Sequence, residues 1–226
     1  MDIQLFYREK GEGEVLILLH GNGESGEYFE HQIEYFSKHY RVIAVDTRGH
    51  GRSPRGTAAF SIRQFAEDLK EFMDELEIGC ANILGFSDGG NIAMVFAMKY
   101  GSRVKRLILN GANLDGKGEK ASVQIPIVLG YKVASAFAQR DEKARKNAEM
   151  LRLMVHDPNV KPEELKGILA KTLVIAGTRD MIREKHTRMI YESLPDARLV
   201  LIEGDHFIAG KNPEMFNKAV EEFLLS

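Results

Sequence analysis

The sequence predicts an α/β protein built on a mostly parallel sheet with helices on both of its faces. Two observations lead to this prediction. Short apolar runs recur along the chain, and longer segments in which apolar residues have helical spacing separate them. Most of the short runs are apolar at every position, which is typical of strands that helices cover on both sides. Such alternation favours an open sheet with right-handed crossovers.

Six apolar runs are predicted as the strands of this sheet. They cover residues 15–19, 42–45, 82–84, 107–109, 173–176 and 199–202. The segments between them are long enough to hold the helices that connect parallel strands. The runs therefore predict a sheet whose strands follow one another in parallel.

Four segments are predicted as the covering helices. They are residues 61–76, 91–100, 183–194 and 213–225. The first begins at Ser61, a favourable N-cap, and its apolar residues lie on one stripe. That stripe consists of Ile62, Phe65, Leu69, Phe72, Met73 and Leu76. Residues 91–100 are apolar nearly all round, which predicts a buried helix, and the last two segments are amphipathic.

Residues 114–166 interrupt the alternation because they contain no convincing strand. Their composition over 121–154 is mostly helical, and Pro126 is expected to end or kink a helix near its start. The sequence therefore predicts a core of residues 1–113 and 167–226 with an inserted helical cap at 114–166. The alternative is one ordinary long crossover.

Composition excludes several classes of protein. The chain of 226 residues is 44% hydrophobic and 28% charged, which is typical of a globular protein rather than a disordered one. Its 31 Lys and Arg against 33 Asp and Glu give no basic footprint for nucleic acid. The single cysteine, Cys80, excludes an intrachain disulfide and a cysteine metal cluster. We expect no metal and no other cofactor.

The sequence also predicts where the protein resides. Its first residues carry no basic segment leading into an apolar one, so no signal peptide is predicted. No apolar run approaches the roughly 20 residues that span a bilayer. We therefore expect a cytoplasmic protein without membrane insertion.

The sharpest chemical signal is the G-x-S-x-G sequence of residues 85–89, with Ser87 at its centre. It follows a predicted strand and opens a predicted helix, the setting that a nucleophilic serine requires. Glycines two residues to either side allow the sharp turn, and the positive end of the helix favours a developing oxyanion. The alternative is a glycine-rich turn with an uninvolved serine.

A base and an orienting acid are expected at the ends of later strands. A serine hydroxyl needs both to act as a nucleophile near neutral pH. Asp180 follows the run 173–176, and His206 follows the run 199–202. Carboxyl ends of parallel strands share one sheet edge, so we predict a triad of Ser87, Asp180 and His206. Asp205 competes as the acid, but as the sequence neighbour of His206 it points poorly at the imidazole.

Two backbone N–H groups are predicted to hold the oxyanion. One is the amide of Asp88, directly after the nucleophile. The other is the amide of Asn22, with Gly23 as second choice, in the glycine-containing loop after residues 15–19. Gly23 and Asp88 are also candidate substrate contacts. His20, in the same loop, is interpreted as a structural hydrogen-bonding residue.

Five segments together resemble the α/β-hydrolase superfamily. They are HGNGE (20–24), DTRGHGRS (46–53), GFSDGG (85–90), GTRD (177–180) and GDH (204–206). The resemblance implies the α/β-hydrolase fold with a short helical cap. It also implies that Asp46, Arg48 and Arg52 form a structural charge network. Residues 3–8 would then be the only remnant of an N-terminal antiparallel hairpin.

A narrower resemblance concerns the substrate. A serine at position 87 implies an acyl-enzyme formed from an ester, thioester, amide or activated C–C bond. GFSDGG and LILNGAN (107–113) resemble the valacyclovirase, or biphenyl hydrolase-like, group, which implies that Asp88 attracts an amino group near the scissile ester. Alternatively, Asp88 is only stabilised by the helix dipole. Apolar cap residues suggest a hydrophobic pocket or simply the core of the cap.

The leading hypothesis is a cofactor-free serine hydrolase of small-molecule carboxylic esters, with small or amino-acid esters as candidate substrates. A second hypothesis is hydrolysis of a C–C bond in a diketone with the same triad. A third is a non-catalytic ligand receptor, because a fold does not determine function. The oligomeric state does not follow from the sequence.

Overall fold

The computed structural model describes residues 2–226 and contains a seven-stranded sheet. Its strands are β1 Tyr7–Lys10, β2 Glu14–Leu19, β3 Tyr40–Val45, β4 Ala81–Phe86, β5 Val104–Asn110, β6 Lys171–Gly177 and β7 Ala197–Ile202. Their spatial order is β1-β3-β2-β4-β5-β6-β7. Only β1 is antiparallel to its neighbour; the other pairs in this sheet are parallel. Each of the six predicted runs lies within one of β2 to β7, which confirms the α/β prediction.

Eight α-helices accompany the sheet in the described part of the chain. They are α1 Glu30–Phe36, α2 Ile62–Glu75, α3 Asp88–Lys99, α4 Ala121–Phe137, α5 Glu142–His156, α6 Glu184–Ser193, α7 Ile208–Lys211 and α8 Pro213–Leu224. Helix α2 begins as predicted, since the Ser61 hydroxyl accepts a hydrogen bond from the Gln64 amide at 3.2 Å. None of the helices within residues 2–226 is both long and apolar enough to cross a bilayer.

Two buried clusters lie on opposite faces of the sheet. Along β2, Ile17 and Leu19 pack into the cluster that contains α2, α3 and α6, whereas Leu16 and Leu18 pack into the cluster that contains α1 and α8. All four side chains are at most 1% exposed. Burial of each contributes roughly 1.5–3 kcal/mol to the free energy of unfolding. The double coverage explains why this strand is apolar at every position.

The N-terminal part of the chain differs from the prediction in two respects. The first strand is β1, not residues 3–8, because pairing with β3 begins only at Tyr7, opposite Val45. Before that point, the Phe6 amide donates to the Ser53 hydroxyl instead. Helix α1 was not predicted. It has only seven residues and buries only Gln32 and Phe36, too little to produce a helical pattern of apolar residues.

The segment 114–166 contains α4 and α5, and none of its residues lies in a strand of the described sheet. Pro126 lies within α4 and does not end it, contrary to one form of the expectation. Its ring removes one helical hydrogen bond, to the carbonyl of Ser122. Both residues are exposed, so water can satisfy that carbonyl. The apolar residues of α4 form no core, because none of them is buried, whereas Ala148 and Leu153 of α5 are buried.

Candidate active site

Ser87 occupies a strained turn between β4 and α3. Its backbone angles are φ 54° and ψ −119°, a conformation that costs an L-residue about 1–3 kcal/mol. A Cβ atom on Gly85 would lie 2.2 Å from the Gly89 carbonyl oxygen, and one on Gly89 would lie 2.0 Å from the Leu19 carbonyl oxygen. Both positions therefore require glycine. The Ser87 amide donates to the Asn110 carbonyl at 2.8 Å, which ties the turn to β5.

The turn points the start of α3 toward this serine. Helix α3 begins at Asp88, directly after Ser87, three residues earlier than predicted. The first N–H groups of a helix have no partner within the helix, and the helix dipole adds positive potential there. The amide of Asp88 is the first of these N–H groups after Ser87.

His206 and Asp180 are hydrogen-bonded to each other at the ends of β7 and β6. The distance from His206 Nδ1 to Asp180 Oδ1 is 2.7 Å, and both side chains are buried. The Ile182 amide also donates to Asp180 Oδ1 at 2.8 Å, which holds the carboxylate in place. Asp205 instead accepts from the Phe207 amide and pairs with Lys211. Asp180, not Asp205, therefore contacts the imidazole.

The His206 ring rests on the end of the strand beside the nucleophile. Its centroid lies 4.8 Å from the centroid of Phe86, the residue before Ser87. A Cβ atom on Gly111 would lie 2.7 Å from His206 Cε1, and Gly111 has a φ of 62°. Gly111 directly follows Asn110, which binds the Ser87 amide. The sheet order β4-β5-β6-β7 thus brings all three predicted triad residues to one edge.

The loop after β2 is held in place by His20. The Thr47 amide donates to His20 Nε2 at 3.0 Å, so this nitrogen carries no proton and Nδ1 donates to the Gly21 carbonyl at 2.7 Å. Burial lowers the pKa of His20, which favours this neutral form. His20 has the structural role expected of it.

Asn22 connects the same loop to α5. Its side-chain Nδ2 donates to the Met150 carbonyl of α5 at 2.9 Å. Gly23 has a φ of 74°, and a Cβ atom there would meet nothing within 4 Å. Glycine at position 23 is therefore required by the backbone conformation rather than by crowding. The open space beside Gly23 leaves room for a ligand.

Asp88, which directly follows the nucleophile, and Glu119 are two buried carboxyl groups whose charges interact. Asp88 Oδ1 accepts from Asn91 Nδ2 at 3.3 Å, while Asp88 Oδ2 lacks a partner within residues 2–226. Burial raises the pKa of Asp88 to about 6, although the amides of Asn22 and Asn91 oppose this. Burial likewise raises the pKa of Glu119 to about 7, and the charge of Asp88 adds to the effect. Glu119 Oε2 is also unpartnered in the described chain.

Sequence reasoning missed Glu119. It lies in no motif, and only the fold brings it near Asp88, where it forms a bridge with Ile182 between the cap segment and the loop after Asp180. Tyr28 was also missed; its ring stacks on Phe86 with a centroid distance of 4.4 Å. No local pattern of apolar or charged residues marks either position.

The expected network of Asp46, Arg48 and Arg52 has different connections. Asp46 accepts from two backbone amides, those of Gly26 at 2.7 Å and Arg52 at 2.8 Å. The Arg52 guanidinium lies 3.9 Å from the centroid of the Phe6 ring. Asp46 and Arg52 are therefore joined through the Arg52 backbone amide and not through a pair of charged side chains.

Arg48 has its own ion pairs, which the sequence did not indicate. Its fully buried side chain contacts Asp68 and Asp2, each at 2.7 Å. The fork of the guanidinium matches the Asp68 carboxylate through two parallel hydrogen bonds. This pair joins the loop after β3 to α2.

Comparison with known proteins identifies the family. Residues 14–131, more than half of the chain, match the family described as alpha/beta hydrolase fold. The chain belongs to this family. It is therefore a hydrolase by family and by the names of its relatives. The match includes β2 to β5, the Ser87 turn and most of α4.

Three curated relatives place this hydrolase among enzymes of different substrates. It is 42% identical over 106 residues to "(E)-2-((N-methylformamido)methylene)succinate hydrolase" of Acinetobacter baylyi, which covers 46% of the chain and 40% of that protein. It is 29% identical to human "Serine hydrolase BPHL" over 98% of the chain and 83% of that protein. It is 34% identical to a "2-hydroxy-6-oxononadienedioate/2-hydroxy-6-oxononatrienedioate hydrolase" of Burkholderia vietnamiensis over 79% of the chain and 62% of that protein.

A solved structure agrees with this family assignment. The enol-lactonase from Burkholderia xenovorans LB400 superposes with a TM-score of 0.79 and 26% sequence identity. The match covers 99% of this chain and 97% of that one. The predicted fold class is confirmed.

Proposed function

We propose that this hydrolase cleaves small-molecule carboxylic esters through an acyl-enzyme on Ser87, without a cofactor. The observation that supports this most directly is the 2.7 Å hydrogen bond from His206 to Asp180 at the sheet edge that also carries the strained Ser87 turn. The neutral imidazole donates through Nδ1 to Asp180, which leaves Nε2 as the base. Residues 114–166 act as the cap over this edge.

The reaction has two halves. His206 accepts the proton of the Ser87 hydroxyl as its oxygen attacks the ester carbonyl, and the amides of Asp88 and Asn22 hold the oxyanion. His206 then protonates the leaving alkoxide. A water molecule, deprotonated by His206, attacks the acyl-enzyme and releases the acid. Asp180 orients the imidazole and stabilises its protonated form throughout.

Asp88 gives this proposal a preferred substrate. Asp88 directly follows the nucleophile, and its Oδ2 is buried without a hydrogen-bond partner in residues 2–226, although the Asn22 amide lowers the pKa of the carboxyl. A substrate ammonium group would pair with this buried carboxylate and lower its pKa. Amino-acid esters are therefore favoured over neutral esters of the same size. Gly23, beside open space in the facing loop, borders the same substrate.

Hydrolysis of a C–C bond is the second candidate function. The relative from Burkholderia vietnamiensis supports it, since that protein is named as a hydrolase of a dienedioate. The two functions require the same serine and histidine, so they differ in substrate and not in machinery. Turnover of p-nitrophenyl esters against that of a vinylogous diketone separates them.

A covalent probe tests the proposal itself. We expect a fluorophosphonate to label the folded protein and Ser87→Ala to abolish labelling. Ser102→Ala is the matched control because Ser102 is exposed in the turn before β5. It lies at the opposite end of that strand from the reactive edge, the carboxyl edge of the sheet at Ser87, Asp180 and His206. Absence of labelling in folded wild-type protein would favour a non-catalytic receptor. An ester library that includes amino-acid esters and their neutral analogues then defines the substrate.

A further inference from the structure

The outer face of α4 carries a continuous apolar stripe. Ile125, Leu129, Val133 and Phe137 follow one another at every fourth position, and their exposed fractions are 66%, 62%, 53% and 57%. Residues four apart are neighbours on one helix face. Large apolar side chains are scattered singly on ordinary protein surfaces, whereas a contiguous exposed row marks an interaction site.

A groove widens this stripe into a surface. It lies between α4 and α5 and has a volume of ≈ 800 Å³. Pro126, Leu129, Val133 and Phe137 form its α4 wall, and Ala144 and Leu151 contribute from α5. The apolar surface thus spans both cap helices.

The charges around this surface have one predominant sign. Residues 121–156 contain six Lys and Arg but only three Asp and Glu, whereas the whole chain has a net charge of −2. All six cationic side chains are exposed. They are Lys132, Arg140, Lys143, Arg145, Lys146 and Arg152. Lys132 and Lys143 lie beside the apolar face, together with Asp141. An apolar face with an excess of Lys and Arg on its helices is typical of helices that lie in the interface of an anionic membrane.

We infer that α4 and α5 dock the protein on an anionic lipid surface, with the α4 stripe seated at the boundary between headgroups and acyl chains. Charge decides between this occupant and a second copy of the chain. Two caps that each carry an excess of cations repel one another, but both are attracted to anionic lipid. The contact lies on the membrane rather than through it, consistent with the lack of a spanning helix in residues 2–226.

The docking surface adjoins the candidate active site. Met150 lines the groove, and its carbonyl accepts the hydrogen bond from Asn22, the residue whose amide we place in the oxyanion hole. An ester dissolved in the lipid would therefore reach Ser87 from the docked face. This second part of the inference rests on the proposed function, whereas docking itself does not.

Cosedimentation with vesicles tests the docking. We expect the full chain to bind vesicles of phosphatidylcholine with phosphatidylglycerol, and to bind pure phosphatidylcholine at least about tenfold more weakly. Leu129→Asp with Phe137→Asp should reduce binding to the anionic vesicles by at least about tenfold. The matched control is Leu169→Asp with Met215→Asp, which places two charges on exposed apolar residues outside the cap helices. Circular dichroism confirms that both variants fold.

Further variants separate the possible outcomes. Lys132→Gln with Lys143→Gln should weaken binding about fivefold per charge removed. Ser87→Ala should bind like wild type, so a failure of the proposed chemistry leaves this readout intact. Equal binding by the α4 variant and its control would overturn the inference. The wild-type chain could instead fail to bind vesicles and form a dimer that Leu129→Asp dissociates. That result would show that a second copy of the chain covers the stripe.

Discussion

The reactive edge of the sheet and the cap helices are built in opposite ways. At the edge, Asp180 and His206 are 4% exposed each, and steric contacts determine the glycines around Ser87. In the cap, α4 has no buried residue and packs mainly against α5. Close packing fixes atoms to within fractions of an ångström, which catalysis needs. Sparse packing leaves the cap free to present surface, which docking and substrate entry need.

Loss of the base is the largest effect that this contrast predicts. His206→Ala should lower ester turnover by about 10⁴-fold or more, because Ser87 then has no group to accept its proton. The fold should persist, as measured by the thermal unfolding midpoint. Asp205→Asn is the control, since its carboxylate faces Phe207 and Lys211, and it should retain most activity. Near-normal turnover in His206→Ala would place the base elsewhere.

Glu119 sits where the two regions meet and should make stability depend on pH. Because the native state raises its pKa to about 7, the native state holds this proton longer than the unfolded state as pH rises. Native stability therefore falls between about pH 4.5 and pH 7, by up to about 3 kcal/mol. Glu119→Gln should recover that amount at pH 8 and change little at pH 4 in urea unfolding. Glu163→Gln, on an exposed cap residue, is the control.

Replacing a glycine at the reactive edge with alanine should be far more damaging than replacing a glycine in the cap. Gly111→Ala places a methyl group 2.7 Å from His206 Cε1 at a φ of 62°, so the imidazole must move. We expect turnover to fall about 10²-fold, since a displacement of about 1 Å costs that much in catalysis. The pH dependence of kcat/KM should shift with it. Unchanged activity would show that the ring does not depend on this contact.

Asp88 tests whether the buried edge also selects substrate. Asp88→Asn should reduce kcat/KM for amino-acid esters about tenfold relative to neutral esters of equal size, because a charged hydrogen bond contributes about 1.5–3 kcal/mol. The measurement is the ratio of kcat/KM for the two substrates, so a loss of activity that affects both equally cancels. If both substrates suffer equally, Asp88 has only a structural role.

The smallest expected effect is a gain of stability in the cap. Gly130 lies inside α4, and a Cβ atom there would meet only the Leu151 methyl at 3.3 Å, the flexible end of a side chain. Gly130→Ala should raise helix stability by about 0.5–1 kcal/mol. Hydrogen exchange of the α4 amides measures this locally. Destabilisation would mean that Leu151 cannot shift and that the cap is packed more tightly than its exposure indicates.

Much of the reactive edge was predictable, and the reason is topological. Ser87, Asp180 and His206 each follow an apolar run, and parallel strands bring their carboxyl ends together whatever the distance along the chain. The choice of Asp180 over Asp205 also followed from the sequence. Asp205 is adjacent to His206 in the chain, and the side chains of adjacent residues point in different directions. The connection of Arg48 to Asp68 and Asp2 did not, since ion pairs between distant segments leave no local pattern.

The amino-acid sequence by itself determined strands β2 to β7, the two-sided burial of the sheet and the turn at Ser87, because backbone sterics and apolar periodicity act over a few residues. Only the tertiary structure decided that Glu119 faces Asp88 and that the apolar face of α4 stays uncovered. Both depend on which segments pack against each other across the whole chain. A periodic pattern states that a face is apolar, but the arrangement of the other helices determines whether anything covers it.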